Sequence, residues 1–152
     1  VEEVVFGDVI QAFTHTPSGV IAAIGSQSPW RLLDEENETW GTSLYEPKDL
    51  EWHNDQLWGS TRSARWPFGG WVVRWSTQTP ELVQYSPPEP GPMVVRDTAI
   101  FWGSKQSLTR FELGTSAYDA IAIQTAVADV ISVDEGVFWT DYERGVLLTW
   151  TD

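Results

Sequence analysis

Short runs of β-branched and aromatic residues recur along this chain, each bounded by Gly, Pro, Asn, Asp or Ser. No stretch of 11 or more residues holds a helical period, so the pattern predicts strands and turns throughout. Three segments read alike: Gln56-Leu57-Trp58-Gly59-Ser60, Ile100-Phe101-Trp102-Gly103-Ser104 and Val137-Phe138-Trp139-Thr140-Asp141, with tryptophans 44 and 37 residues apart. Each follows an apolar stretch (Asp49–Trp52, Met93–Arg96, Val130–Val133) and precedes another (Trp71–Trp75, Leu108–Phe111, Val146–Trp150). A fourth stretch completes the first two units, Glu81–Tyr85 and Tyr118–Ala122. The chain therefore reads as all-β with a four-stranded unit of roughly 40 residues repeated along it.

The N-terminal part carries the same unit more loosely. Val9–Phe13, Val20–Ile24, Trp30–Leu33 and Thr42–Tyr45 supply four strands, with Ala22 where the other units place tryptophan. Val1–Phe6 is then a spare strand at the start, and the last unit holds only three strands. A spare strand at one end and a missing one at the other fit a β-propeller of about four four-stranded blades. The blades span approximately 7–47, 48–90, 91–128 and 129–152 plus 1–6, one domain over 1–152 with the last blade completed by the N-terminal strand. The proline-rich stretch 86–92 is a crossing between blades, because proline has no N–H for a sheet ladder. Closure within one chain gives a four-bladed monomer, and closure between two gives an eight-bladed head-to-tail homodimer. The monomer is favoured for the high effective concentration of its own ends.

The last unit, Ile131-Ser132-Val133-Asp134-Glu135-Gly136-Val137-Phe138-Trp139-Thr140-Asp141, resembles the YWTD-type β-propeller repeat. The second and third units keep Leu57-Trp58-Gly59-Ser60 and Phe101-Trp102-Gly103-Ser104 at the corresponding place, and the first has no tryptophan there. The tryptophan-bearing repeats of bacterial extracytoplasmic propellers are similar too, which favours an extracytoplasmic or secreted setting. The resemblance implies a binding scaffold without chemistry of its own, and it assigns no ligand residue.

Charge narrows the partners. The formal net charge is −13, which opposes nucleic acid and anionic membrane surfaces. There is no cysteine, so disulfides and thiolate metal sites are excluded. Because the sequence opens on Val1, it reads as a processed product or a piece of a longer chain. The acidic run 34–38 lacks the alternating oxygen ligands and turning glycine of a calcium loop and reads as a solvated turn. Within it, Asn37-Glu38-Thr39 matches a glycosylation sequon, a short motif of little weight outside a eukaryotic secreted context.

His15 and His53 fall at different kinds of position, with no nucleophile motif beside them. No catalytic residue, metal or cofactor is expected, and the protein reads as a non-enzyme. Its ten tryptophans are packing residues first: Trp58, Trp102 and Trp139 stand at matching strand positions, where a bulky ring fills the space between sheets. Trp66 differs. It lies in the longest turn, 60–71, with Arg62, Arg65 and Phe68, and Trp and Arg dominate binding hot spots. These four are the candidate ligand-binding residues, the alternative being a plug in the ring or a subunit contact. The expected function is a binding module for a protein or glycan ligand. The rivals are an oligomerisation module or portion of a larger propeller protein, and a glycan-active hydrolase.

Overall fold

A computed structural model describes residues 5–63, 69–76, 79–86, 89–105, 107–122, 126–133, 136–141 and 146–150. These form four small antiparallel sheets and, among the described residues, no helix and no closed barrel. Sheet I holds β1 (Ile10–Thr16), β2 (Gly19–Ile24), β3 (Trp30–Asp34) and β4 (Thr39–Ser43). Sheet II holds β5 (Glu46–His53), β6 (Gln56–Arg62), β7 (Gly70–Trp75) and β8 (Glu81–Ser86). Sheet III holds β9 (Met93–Val95), β10 (Ala99–Gly103), β11 (Ser107–Glu112) and β12 (Tyr118–Ala122). Sheet IV has three strands, β13 (Val127–Val133), β14 (Gly136–Asp141) and β15 (Val146–Trp150). Strands pair in chain order within every sheet.

Local chemistry fixes this meander. The first two strands of each sheet join through two residues: Thr16 faces Gly19, His53 faces Gln56, Arg96 N–H donates to Ala99 O, and Val133 faces Gly136. Asn54 and Asp55 both take positive φ, 48° and 58°, as the twist-matching hairpin turn requires. Thr16 Oγ1 donates to Gly19 O and accepts from Ser18 N, holding the first turn. In the acidic turn between β3 and β4, Asp34 Oδ1 accepts from Glu36 N and Glu38 N while Asn37 takes φ 64°. That run is an exposed turn closed by its own backbone.

Successive sheets pack face to face through three apolar seams. Ile21, Ala23 and Leu32 of sheet I meet Leu50, Leu57, Val73 and Trp75 of sheet II. Trp58 and Val72 of sheet II meet Met93, Ile100, Trp102 and Phe111 of sheet III. Phe101 and Leu108 of sheet III meet Val130, Val137 and Trp139 of sheet IV. The first strands follow the same order, β1 against β5, β5 against β9 and β9 against β13. Among the described residues β13 does not pack against β1 to any comparable extent.

Three expectations from sequence change. Trp58 is not equivalent to Trp102 and Trp139: these two face the preceding sheet, whereas Trp58 faces the following one. Counted from the hairpin turns, Trp58 sits one residue early, and one residue reverses the face of a strand. Gly59 takes the matching place, and a Cβ there would lie 2.8 Å from the Trp75 ring and 3.1 Å from Leu50. Trp75, on β7, thus fills from the neighbouring strand the space that Trp102 and Trp139 fill from theirs. Secondly, β5 and β13 begin at Glu46 and Val127, just before the expected unit boundaries. Thirdly, most of the expected N-terminal strand, residues 1–4, lies outside the described residues, and Val5 and Phe6 are not in a strand. Phe6 is instead buried on sheet I against Ala22, Ile24 and Leu33, and Asn37 Nδ2 donates to Val5 O.

Candidate functional site

Of the four residues singled out from sequence, only Arg62 is described; Arg65, Trp66 and Phe68 lie outside the described residues. Arg62 ends β6, exposed, with its Nε 3.3 Å from Glu89 Oε2 on the crossing between sheets II and III. The base of its loop is closed by Ser63 N–H donating to Gly69 O at 2.8 Å. Gly69 has to be small, because a Cβ there would lie 2.6 Å from Tyr85 Oη and 2.9 Å from Ser86 O. The loop therefore leaves the sheet from a fixed stem.

Glu89 also lines a cleft of about 210 Å3 with Lys48, Pro90, Gly91, Lys105 and Val127. Ser60 Oγ donates to Gly91 O at 2.5 Å, and Gly91 N–H donates to Gly103 O, so the rim is tied to β6 and β10. Arg31, Lys48, Arg62 and Lys105 all fall at this end of the strands. Lys48 is paired with Glu46 at 2.6 Å. The opposite end carries the acids Asp34, Glu35, Glu36, Glu38, Asp55 and Asp97, together with Arg74, Arg96 and Arg110. The gathering of Arg31, Lys48, Arg62 and Lys105 at one end arises from strand direction and not from clustering along the chain.

At the acidic end a second cavity, about 270 Å3, is lined by His53, Val95, Arg96, Asp97, Ser132 and Val133. His53 Nε2 and Asn54 Nδ2 each lie 3.2 Å from Asp97 Oδ1, tying the hairpin tips of sheets II and III together.

Between the ends, β5 turns Asp49, Glu51 and His53 toward sheet III. Asp49 Oδ2 accepts from Met93 N at 2.7 Å and Asp49 Oδ1 from Leu50 N at 2.9 Å. Burial raises the Asp49 pKa, opposed by these two hydrogen bonds and assisted by nearby Asp129. Burial also pushes Glu51 up to about 7, with the charge of Asp49 adding to it. Perturbed carboxyls are one mark of an active site. Neither lines any of the three cavities among the described residues (the third, of about 220 Å3, lies over Trp58 and Arg74), and burial is the first cause of both shifts.

The described tryptophans are all drawn into packing. Trp30, Trp58, Trp75, Trp102 and Trp139 are buried, and Trp40, Trp52, Trp71 and Trp150 lie against the seams. Trp75 Nε1 donates to Thr42 O and Trp102 Nε1 to Ser86 Oγ, both at 3.1 Å, so each ring also bridges two sheets.

No protein-family profile matches the chain, and no curated protein matches it. Among solved structures it is similar to the computationally designed Ika4 protein, with a TM-score of 0.75 and 12% identity over 99% of this chain and 98% of that one. It is also similar to the computationally designed Ika8 protein, with a TM-score of 0.72 and 11% identity. That match covers 93% of this chain and 45% of the Ika8 chain, so the present fold spans a little under half of it. At these identities the likeness is one of fold.

Proposed function

We propose that the four sheets are blades of a β-propeller and that the protein is a non-catalytic binding module. The contact end carries the β6–β7 loop. The observation that supports this most is the built stem: Arg62 held by Glu89, and Ser63 bonded to Gly69, beside a cleft that gathers Lys48 and Lys105. A rigid scaffold presenting a loop with an arginine at its base is the usual design of a recognition site. The lysines select a protein or glycan with carboxylate or sulfate groups in preference to a neutral one. A YWTD-like scaffold is in keeping with this reading, as is an extracytoplasmic setting.

The test is titration with acidic and neutral glycans and an acidic peptide, followed by calorimetry. The reading expects binding by an acidic ligand, weakened at least fivefold by Arg62→Ala combined with Lys105→Ala. Binding only of neutral ligands, or binding indifferent to both substitutions, contradicts it. A glycan-active hydrolase would need a carboxyl open to a sugar, whereas Glu51, the acid that burial pushes up to about 7, lines none of the described cavities. Glycan cleavage abolished by Glu51→Gln would favour that second reading.

A further inference from the structure

The positions of β5 that face sheet III recur in β13, on a face of sheet IV that no other described sheet covers. Counted from the hairpin turns, Asp129, Ile131 and Val133 of β13 occupy the places of Asp49, Glu51 and His53 of β5. Both strands carry a bulge at the same point, between Pro47 and Asp49 and between Val127 and Asp129. Asp129 Oδ1 accepts from Val130 N at 2.9 Å, as Asp49 Oδ1 accepts from Leu50 N. Asp49 uses its second oxygen to hold Met93 N of the next sheet. On β13 the matching face is open: Ile131 is 48% exposed and Val133 41%.

Sheet I shows the complementary face. By the same count Phe13 of β1 corresponds to Met93 of β9, and it is 68% exposed where Met93 is buried. Phe6 already lies on this face of sheet I, as Val83 of β8 lies against sheet III. Residues 5 and 6 thus follow the path of an outer strand arriving from a preceding blade.

Resting on the propeller reading above, we infer that a second copy of this chain docks on these faces. Sheet IV of each copy packs on sheet I of the other, closing a two-fold ring of eight blades. The interface is a continuation of the three seams already present in the chain. Asp129 takes Phe13 N of the partner copy as Asp49 takes Met93 N, Ile131 meets His15, and Val133 meets Pro17. Among the described residues β13 and β1 do not pack to the extent of the three seams, which leaves these contacts to a second copy. That this arrangement spans 45% of the Ika8 chain fits continuation by an equal length. The interface is heterologous, and two-fold symmetry closes it without leaving a free face.

The test is sedimentation equilibrium of the 152-residue chain across the micromolar range, with circular dichroism to follow strand content. Two chain masses are expected. Ile131→Lys combined with Val133→Lys is expected to give one chain mass with the strand signal kept, and Phe13→Glu on the opposite face the same. A single mass for the unsubstituted chain with an intact strand signal overturns the second copy and leaves the propeller reading standing. A two-chain mass that survives both sets of substitutions overturns the docking faces. A ladder of larger masses overturns ring closure. Unfolding of both variants at an unchanged single mass shows the seam closed within one chain and overturns the inference.

Discussion

Strands β5 and β13 have the same bulge, the same aspartate holding its own next N–H, and the same two-residue hairpin, yet their surroundings are opposite. On β5 the face next to Asp49 carries Glu51 and His53 and is covered by sheet III. On β13 that face carries Ile131 and Val133 and is open. The polar version is partly buried and the apolar version is exposed, the reverse of what the hydrophobic effect alone arranges. Burial, helped by the charge of Asp49, pushes the Glu51 carboxyl up to about 7, so its neutral form is favoured in the seam. Ile131 and Val133 are the side chains that the proposed second copy would cover.

The largest expected effect is in a covered seam. Trp102 is fully buried between sheets II and III and bonds Ser86, so Trp102→Ala should cost about 3–5 kcal/mol in urea unfolding. Trp139→Ala, in the next seam, should fall in the same range. Trp58→Ala should damage the seam between sheets II and III and leave that between I and II intact, a distinction that hydrogen exchange by sheet would resolve.

Next comes pH. The folded Glu51 pKa lies above the ordinary 4.5, so between about 4.5 and 7 the native state binds more protons than the unfolded one. Stability from this group is therefore greatest in the acid range and falls as pH rises through about 7, and Asp49, also raised, acts in the same direction. A shift of this size corresponds to at most about 3 kcal/mol, reduced by solvent screening since Glu51 is only partly buried. Glu51→Gln should flatten the dependence of the urea midpoint on pH across this window. An unchanged slope would mean that the seam is wetter than described.

A smaller effect separates the twin aspartates. Asp49→Ala removes the acceptor of both Met93 N and Leu50 N and should cost about 1–3 kcal/mol. Asp129→Ala in a chain held monomeric by Ile131→Lys and Val133→Lys should cost visibly less, since only Val130 N loses its acceptor. Smallest of all, Arg62→Ala removes one exposed ion pair and should change stability by about 0.5 kcal/mol or less.

Much of the fold could be read from the chain because each strand is short, apolar and ended by turn residues. The four-strand count and the hairpin positions follow from that punctuation. The tryptophan at Trp58 misled, since the string Trp-Gly-Ser recurs in the next repeat while the hairpin before it places it on the other face. Register depends on counting from the turn, and a shared tripeptide does not reveal it. The candidate loop was marked by its length and its Arg and Trp content, but Glu89, Lys48 and Lys105 come from other units and meet Arg62's end only through strand direction. The buried Asp49 and Glu51 gave no signal at all, since acids on a strand look solvated until the neighbouring sheet is known.

On the proposed assembly the face of β13 is a seam that takes the sheet I face of another chain. His15 and Ile131 are expected to oppose each other there, and the chain has no cysteine of its own. His15→Cys combined with Ile131→Cys, treated with a short bis-maleimide and run on a denaturing gel, reads the pairing directly. A covalent species of two chain masses, with peptide mapping that joins position 15 of one isotope-labelled chain to position 131 of an unlabelled one, is the predicted result. A cross-link confined within one chain, or none at all, would contradict it.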